Sequence, residues 1–401
     1  MNRIAIQYLE NSAELLTRSV DAVRQQLNKA QEKLPINDLL LGWYLPRPLL
    51  DVCREEADRS GATFYRWHPL LTSDGVFQPQ IEWQTIGLSG KPISGFREMP
   101  EFTFVCPNRP VVVDGVLKRV EEIIKCSDYQ GVFLDRIRFP SPANSPIESL
   151  GCFCEECQKA AACLDIDLLE IRAVLREWTR NEEGRKSYVQ TLINPLQSCS
   201  ENAQIEALSI FLKFRCTCIT NFVKKVAAVY SAAGMKVGLD CFSPMLSLMV
   251  GQDLSDLGRC VDWIKIMSYA HTFGPAGIPF ELAGIIKWLS SNTSMNEKEA
   301  IDLISCAVGL PLPSNLNDLR GKGLCSASLQ SEVKRGVESS QAPVLWGVEL
   351  VEIKGVTELN YQQIREDLEA VRLINPAGLV LSWDLWDIPL ERLDWVREVW
   401  L

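Results

Sequence analysis

The stretch GVFLDRIRFPSP, residues 131–142, has the pattern of a buried β-strand that runs into a polar segment. Its first five residues, Gly131–Asp135, are apolar up to a terminal carboxylate, and proline and serine follow as turn signals. A near-continuous apolar run of this length is typical of a parallel strand that is covered on both faces. The stretch therefore predicts an α/β protein with polar side chains at the carboxyl ends of its strands.

Runs of the same kind recur along the chain, each rich in β-branched or aromatic residues and most followed by a helical pattern. Together with Gly131–Asp135 they make eight predicted strands, the others being Asp38–Tyr44, Ala62–Trp67, Glu101–Val105, Lys236–Phe242, Trp263–Tyr269, Val344–Leu350 and Gly378–Asp384. Eight strands that alternate with helices over 401 residues predict an α/β fold, a single (β/α)8 TIM barrel domain. An open doubly wound sheet is the weaker alternative, because no Gly-rich dinucleotide fingerprint follows the first strand. We expect no organic cofactor.

Three stretches exceed the minimal barrel. Residues 9–33 have an amphipathic helical pattern, so residues 1–36 are predicted to form an extra N-terminal helix. Residues 152–232 hold at least three helical patterns after the fourth strand and predict a helical insertion. Residues 68–100 are rich in Gly, Ser and Pro, which predicts a long loop on the functional face.

Composition and charge exclude several classes of protein. Against 51 Asp and Glu there are 41 Lys and Arg, and the net charge of -10 argues against a nucleic-acid partner. No run reaches the roughly 18 apolar residues of a membrane span, and Glu10 and Glu14 interrupt the position where a signal peptide needs an apolar core. We therefore expect a cytoplasmic protein without membrane contact. Its oligomeric state stays open, a homo-oligomer included.

The residues at the strand ends point to carbohydrate chemistry. In a barrel these residues face the functional mouth, and here carboxylates and tryptophans dominate, as suits the cleavage of glycosidic bonds and the stacking of sugar rings. The candidate catalytic residues are Asp135, at the end of GVFLD, and Glu349, at the end of VLWGVE. The candidate substrate-binding residues are Trp43, Arg66, Trp67, His68, Arg138, Asp240, Tyr269, His271, Trp346, Trp383 and Asp384. With 2 histidines in the chain, a histidine-rich metallohydrolase centre is close to excluded.

Structural roles are the alternatives for several of these residues. Asp135 and Arg136 could form an ion pair at a strand end without catalysis. Asp384 could be a helix N-cap. His68 and His271 could be ordinary core or loop residues.

A cysteine cluster marks the start of the predicted insertion. Cys152, Cys154 and Cys157 form a C-x-C-x2-C pattern, and Cys106 is expected beside them as a fourth ligand. Four thiolates are the ligand set of a structural zinc ion, which is the predicted cofactor. Free thiols are the alternative.

Several motifs resemble those of glycoside-hydrolase-like (β/α)8 barrels, in particular groups of hypothetical glycoside hydrolases. The matching stretches are GWYLPR (42–47), GVFLDRIRFPS (131–141) followed by CFCEEC (152–157), DWIKIMSYAHTFGPAG (262–277) and WGVEL (346–350). The cysteine pattern is also similar to that of family 42 β-galactosidases, in which an upstream cysteine and a C-x-C-x2-C cluster bind zinc. This resemblance implies the ligand set Cys106, Cys152, Cys154 and Cys157.

The resemblance also implies roles for the two carboxylates. In the wider clan of retaining enzymes the acid/base ends the fourth strand and the nucleophile ends the seventh, which implies Asp135 as acid/base and Glu349 as nucleophile. That clan carries Asn-Glu on the fourth strand, where this chain has Leu134 and Asp135. Other sugar-cleaving barrels use a fourth-strand aspartate as the nucleophile instead.

The sequence thus predicts a glycoside hydrolase that cleaves a small oligosaccharide or glycoside with Asp135 and Glu349 as its carboxyl pair. A non-catalytic sugar-binding or regulatory barrel is one alternative. A lyase or aldolase that forms a Schiff base at Lys265 is another, although Lys265 could equally be a buried or salt-bridged lysine within its strand.

Overall fold

Eight parallel strands close into a barrel in the order of the sequence, as predicted. The computed structural model describes residues 3–10, 17–73, 77–95, 99–126, 128–195 and 202–401. The strands are β1 (Arg3–Tyr8), β2 (Asp38–Leu41), β3 (Thr63–Pro69), β4 (Gly131–Asp135), β5 (Lys236–Phe242), β6 (Trp263–Met267), β7 (Val344–Glu349) and β8 (Gly378–Ser382). Pairing of β8 with β1 completes the (β/α)8 barrel.

Helices surround the barrel and bury their apolar faces against it. In the described residues they are α1 (Val20–Lys33), α2 (Arg47–Ser60), α3 (Pro110–Cys126), α4 (Glu155–Ala162), α5 (Leu168–Trp178), α6 (Glu182–Ile193), α7 (Ala203–Ala232), α8 (Pro244–Ser247), α9 (Leu254–Gly258), α10 (Ile278–Asn292), α11 (Glu297–Val308), α12 (Leu316–Lys322), α13 (Ser326–Ser339), α14 (Tyr361–Arg372) and α15 (Leu390–Trp400). Four of them, α4 to α7, lie between β4 and β5. Within the described ranges, no helix has both the length and the apolar composition that a membrane crossing requires.

One of the eight predicted strands is wrong and one strand was missed, so their number was nevertheless right. Residues 3–8 form β1 rather than part of an N-terminal helix over residues 1–36, and α1 begins only at Val20, after the N-cap Ser19. The predicted strand Glu101–Val105 is a short 3-10 turn over Pro100–Phe102 followed by a single bridge between Val105 and Gln84. Because the two errors cancel, Asp135 still ends the fourth strand and Glu349 the seventh. The part of the predicted helix at residues 11–16 lies outside the described residues.

Large aromatic side chains fill the lower interior of the barrel. The rings of Phe133 and Trp263 stack with 5.2 Å between their centroids, and Tyr65 meets Trp263 edge-on at 5.8 Å. A Cβ atom on Gly238 would lie 2.2 Å from the Trp263 ring, so this position of β5 needs glycine. The interior is therefore closed below, and open space remains at the carboxyl ends of the strands.

Candidate functional site

A cavity of about 550 Å³ opens at the carboxyl ends of the strands. Seven of the predicted site residues line it, namely Trp43, Trp67, Asp135, Arg138, Asp240, Tyr269 and Trp383. The same wall contains residues that the sequence analysis did not propose for substrate, among them Gln7, Glu10 and Arg136. The volume is in the range of cavities that enclose a small organic ligand.

Asp135 accepts hydrogen bonds at both of its carboxylate oxygens. The indole Nε1 of Trp67 donates to Oδ2 at 2.9 Å, and the backbone N–H of Arg136 donates to Oδ1 at 2.5 Å. Arg136 has a left-handed φ of 53°, and its guanidinium Nε lies 4.0 Å from Oδ2. Two N–H donors and a nearby cation stabilise negative charge on this carboxylate.

Asp240 has a different environment on the same cavity wall. Its Oδ2 accepts from Lys265 Nζ at 3.1 Å, whereas its Oδ1 is buried and has no hydrogen-bond partner among the described residues. Burial raises the pKa of Asp240 to about 7, assisted by the charge of Asp135 and opposed by Lys265. Asp240 can therefore hold a proton near neutral pH.

Lys265 is buried and bonded on two sides. Its Nζ donates to Gln7 Oε1 at 2.8 Å as well as to Asp240. Burial acts to lower the pKa of Lys265, but Asp240 and Tyr269 outweigh it and hold that pKa above its usual value. A Schiff-base lysine must lose its proton to attack a carbonyl, so this environment argues against an aldolase mechanism.

The tryptophans of the cavity contribute in different ways. The Arg136 guanidinium covers one face of the Trp43 ring at 4.5 Å, and Trp67 meets Trp43 edge-on at 6.1 Å. Trp383 is the most exposed of the three and lies 6.1 Å from Tyr269. Trp383 therefore offers the most accessible tryptophan ring surface on the described cavity wall.

Three predicted site residues lie on the outer face of the barrel. Arg66 stacks on Tyr44 at 4.9 Å, and His68 Nδ1 lies 3.0 Å from the hydroxyl of Tyr230 on α7. Trp346 is buried in the layer between the strands and the helices. Side chains alternate between the two faces of a strand, so residues next to an inward-facing side chain must point outward. The prediction that these three residues reach the cavity is wrong.

Glu349 also does not line the cavity. Its Oε2 accepts the backbone N–H of Ala270 at 2.8 Å, and its Oε1 accepts those of His271 at 3.1 Å and Thr272 at 2.6 Å. These bonds direct the carboxylate into the loop that follows β6. The placement corrects the prediction that Glu349 faces the substrate opposite Asp135, and it makes Glu349 a residue that positions this loop.

His271 and Asp384 likewise serve the loops rather than the cavity wall. His271 Nε2 donates to Asp367 Oδ2 at 2.8 Å, and Nδ1 donates to the Lys322 carbonyl at 2.8 Å, on the outer side of the loop. Asp384 accepts the backbone N–H groups of Leu9 at 3.1 Å and Glu10 at 2.9 Å. These two hydrogen bonds hold in place the residues that directly follow β1.

The four predicted metal ligands come together in one buried cluster. The sulfur atoms of Cys106, Cys152, Cys154 and Cys157 all lie within 4.8 Å of one another. The Sγ of Cys106 lies 3.4 Å from that of Cys157 and 3.6 Å from that of Cys154. Four thiolates at zinc bond lengths of about 2.3 Å would be about 3.8 Å apart, so these separations fit a tetrahedral metal.

Two N–H groups face the sulfur atoms of this cluster. The backbone N–H of Ile86 donates to Cys152 Sγ at 3.3 Å, and Asn108 Nδ2 donates to Cys157 Sγ at 3.3 Å. Donors of this kind orient metal ligands and stabilise the negative charge of thiolates. The cluster connects the loop after β3 with the start of α4.

Gln7 was missed for one identifiable reason. Its strand, β1, was assigned to the N-terminal helix, so no residue of RIAIQY was considered as a barrel residue. The signal that could have found it is the pattern of residues 3–8 itself, in which Arg3, Ala5 and Gln7 alternate with Ile4, Ile6 and Tyr8.

The fold is shared with solved barrels of low sequence identity. The PgaB (BpsB) glycoside hydrolase domain from Bordetella bronchiseptica matches with a TM-score of 0.57 and 12% identity, over 99% of this chain and 96% of that chain. A class V chitinase from Pseudomonas fluorescens matches with a TM-score of 0.50 and 11% identity, over 99% and 98%. The alpha-L-fucosidase isoenzyme 2 from Paenibacillus thiaminolyticus gives 0.51 and 11% identity, over 99% of this chain and 48% of that chain. At such identities the likeness shows the fold.

No protein-family model matches this chain. No curated protein sequence matches it either.

Proposed function

We propose that this protein is a glycoside hydrolase whose carboxyl pair is Asp135 and Asp240. The observation that carries the proposal is that the two carboxylates line one cavity in unequal environments. Asp135 is stabilised as an anion by N–H donors, whereas burial lets Asp240 keep a proton near neutral pH. Glycosidic cleavage needs one carboxyl group as proton donor and a second as nucleophile or base, and two unequal environments suit that division of roles. The likeness in fold to barrels named as a glycoside hydrolase domain, a chitinase and a fucosidase supports the proposal.

In the proposed reaction Asp240 transfers its proton from Oδ1 to the glycosidic oxygen while the bond from that oxygen to the anomeric carbon breaks. The leaving group departs as an alcohol. Asp135 either attacks the anomeric carbon or takes a proton from the water that attacks it. Net addition of one water restores the proton of Asp240 and the charge of Asp135.

In this proposal Asp240, and not Glu349, is the second catalytic carboxylate. Before it could act on substrate Glu349 would have to give up backbone hydrogen bonds to three consecutive residues of the loop after β6. Asp240 would have no bond to give up at Oδ1, which has no partner within the described structure, and its residue lines the cavity.

The test uses Asp135→Asn and Asp240→Asn on a panel of 4-nitrophenyl glycosides and on 2,4-dinitrophenyl glycosides of the same sugars. Both variants should lose about 1,000-fold or more in kcat on the first panel. Asp240→Asn should recover on the second, since a better leaving group needs no acid. Asp302→Asn, at an exposed position of α11, is the matched control. Full activity in either cavity variant would overturn the pair.

The cysteine cluster is assigned to a structural zinc ion held by Cys106, Cys152, Cys154 and Cys157. Support comes from the sulfur separations and from the N–H donors that face the thiolates. Bound there, zinc would cross-link the loop after β3 to α4 and take no part in the reaction. Metal analysis of purified protein should give one zinc per chain, and Cys154→Ser should abolish it. Cys163→Ser, an exposed cysteine, should keep it.

A further inference from the structure

We propose that Gln7 Nε2 and Trp43 Nε1 form a donor site in the cavity that binds acceptor oxygens of the sugar. The inference deepens the proposed function, because it concerns the ligand of the same cavity. It rests on two buried N–H groups that have no hydrogen-bond partner among the described residues and that belong to residues lining the cavity. Buried N–H groups are almost always paired in proteins, so two unpaired ones in one cavity mark a ligand position.

The orientation of the Gln7 amide follows from its neighbours. Lys265 Nζ, which can only donate, lies 2.8 Å from Oε1, and the Ser382 hydroxyl donates to the same oxygen at 3.2 Å. These two donors require the carbonyl oxygen of the amide to face them. Nε2 then faces away from these donors, and neither of its hydrogens has a partner among the described residues.

The indole of Trp43 is held just as firmly. The Arg136 guanidinium lies 4.5 Å from its ring centroid, and Trp67 packs against it edge-on. The neighbouring Trp67 uses its own Nε1 to bond Asp135, whereas Trp43 Nε1 has no partner among the described residues. Trp43 is thus a preorganised donor, and its contribution is its N–H rather than its ring face.

The chemistry of the ligand follows from the donors. Amide and indole N–H groups select ligands that present acceptor oxygens, such as hydroxyl and ring oxygens of a sugar. Gln7 also touches Lys265, which bonds Asp240. A direct contact with the ligand must therefore be separated from an indirect effect on Asp240.

The experiment measures binding by calorimetry in the slow Asp135→Asn background, with the methyl glycosides of glucose, galactose, N-acetylglucosamine and glucosamine as probes. Gln7→Glu keeps an oxygen for Lys265 and Ser382 but removes both donors. The substitution should raise the Kd of the best-bound probe about 10-fold to 100-fold. Gln362→Glu, the same exchange at an exposed position of α14, should leave the Kd unchanged, and melting temperatures check that the variants fold.

Monodeoxy derivatives of the best-bound probe identify the contact. Removal of the hydroxyl that Gln7 binds should raise the Kd for the protein that retains Gln7. It should cause no further increase in the Kd for Gln7→Glu. An indirect effect through Asp240 would instead make every derivative lose the same factor in both proteins, and that result would overturn the inference. So would an unchanged Kd in Gln7→Glu, or no binding of any of the four probes.

Failure of the donor site can be told apart from failure of the proposed reaction. If aryl glycosides are not cleaved but binding depends on Gln7, the catalytic proposal is wrong and the donor site stands. If they are cleaved while Gln7→Glu keeps both Kd and KM, the donor site is wrong and the carboxyl pair stands.

Discussion

Asp240 and Lys265 are directly paired residues of the adjacent strands β5 and β6, and their side chains form an ion pair with 3.1 Å between Oδ2 and Nζ. The strand register alone brings the two side chains to the same level of the barrel interior. Lys265 binds one oxygen of Asp240, and the other, Oδ1, has no partner among the described residues. The parallel pairing of two strands thus sets the position of the proposed acid, while burial raises its pKa against the opposing charge of Lys265.

The first prediction concerns the pH dependence of hydrolysis. The pKa of Asp240 is raised from its usual value near 4 to about 7, so kcat/KM should fall as pH rises through about 7, where the acid loses its proton. Lys265 opposes this rise, so Lys265→Met should move the descending limb to higher pH. Lys298→Met, on the surface of α11, should leave it in place. If kcat/KM falls at the same pH in Lys265→Met as in the wild type, the role of Asp240 as the acid is contradicted.

The second prediction separates Glu349 from catalysis. Glu349→Gln cannot accept all the N–H groups that converge on the carboxylate, so it should lower the free energy of unfolding by about 3 kcal/mol, measured by urea titration. Glu338→Gln, exposed on α13, should change it little. Azide should not restore the activity of Glu349→Ala. Rescue with formation of a glycosyl azide would show that Glu349 is the nucleophile after all.

The third prediction concerns stability at alkaline pH. Burial alone would lower the pKa of His271, but Asp367 at 2.8 Å and the charge of Glu349 raise it to about 9. A raised pKa of this kind stabilises the fold fully below about 6.5, and the contribution is lost as pH rises through about 9. It amounts to about 3 kcal/mol. The free energy of unfolding should therefore fall over this window in the wild type and much less in His271→Gln. Parallel curves would contradict the ion pair.

The fourth prediction tests what the cysteine cluster does for stability. Incubation with a strong chelator should lower the melting temperature of the wild type, because metal binding contributes to folding. The same treatment should have no effect on Cys154→Ser, which already lacks the cluster. Cys163→Ser should respond like the wild type. A melting temperature that is insensitive to chelator in all three proteins would leave the cluster as free thiols.

The sequence predicted the parts of the site that depend on local pattern. Asp135 could be found because a lone carboxylate ends an apolar strand, and the cysteine cluster because the spacing of its thiols is that of metal ligands. Asp240, inside β5, and Tyr269, two residues after β6, were named because both lie near the carboxyl ends of their strands. All of these residues occupy positions that the strand order alone determines.

The remaining errors have physical causes. Arg66, Trp67 and His68 are consecutive, so strand alternation allows either the middle residue or its two neighbours to face inward, and Trp67 does. Glu349 occupies an inward-facing position of β7, but its carboxylate turns toward the loop after β6, where it accepts backbone N–H groups. The path of that loop depends on contacts with α12 and α14, far along the chain, which no local pattern contains.

The bond between Gln7 and Ser382 spans 375 residues, because the first and last strands close the barrel. During synthesis at roughly 5–20 residues per second, Gln7 leaves the ribosome on the order of tens of seconds before its partner exists. Until β8 docks, the Gln7 amide lacks one of the two donors that orient it, and the cavity lacks the wall that Trp383 supplies. The proposed sugar affinity would then be acquired at the last step of folding, and we expect a sugar resin to retain completed barrels but not chains that stopped short.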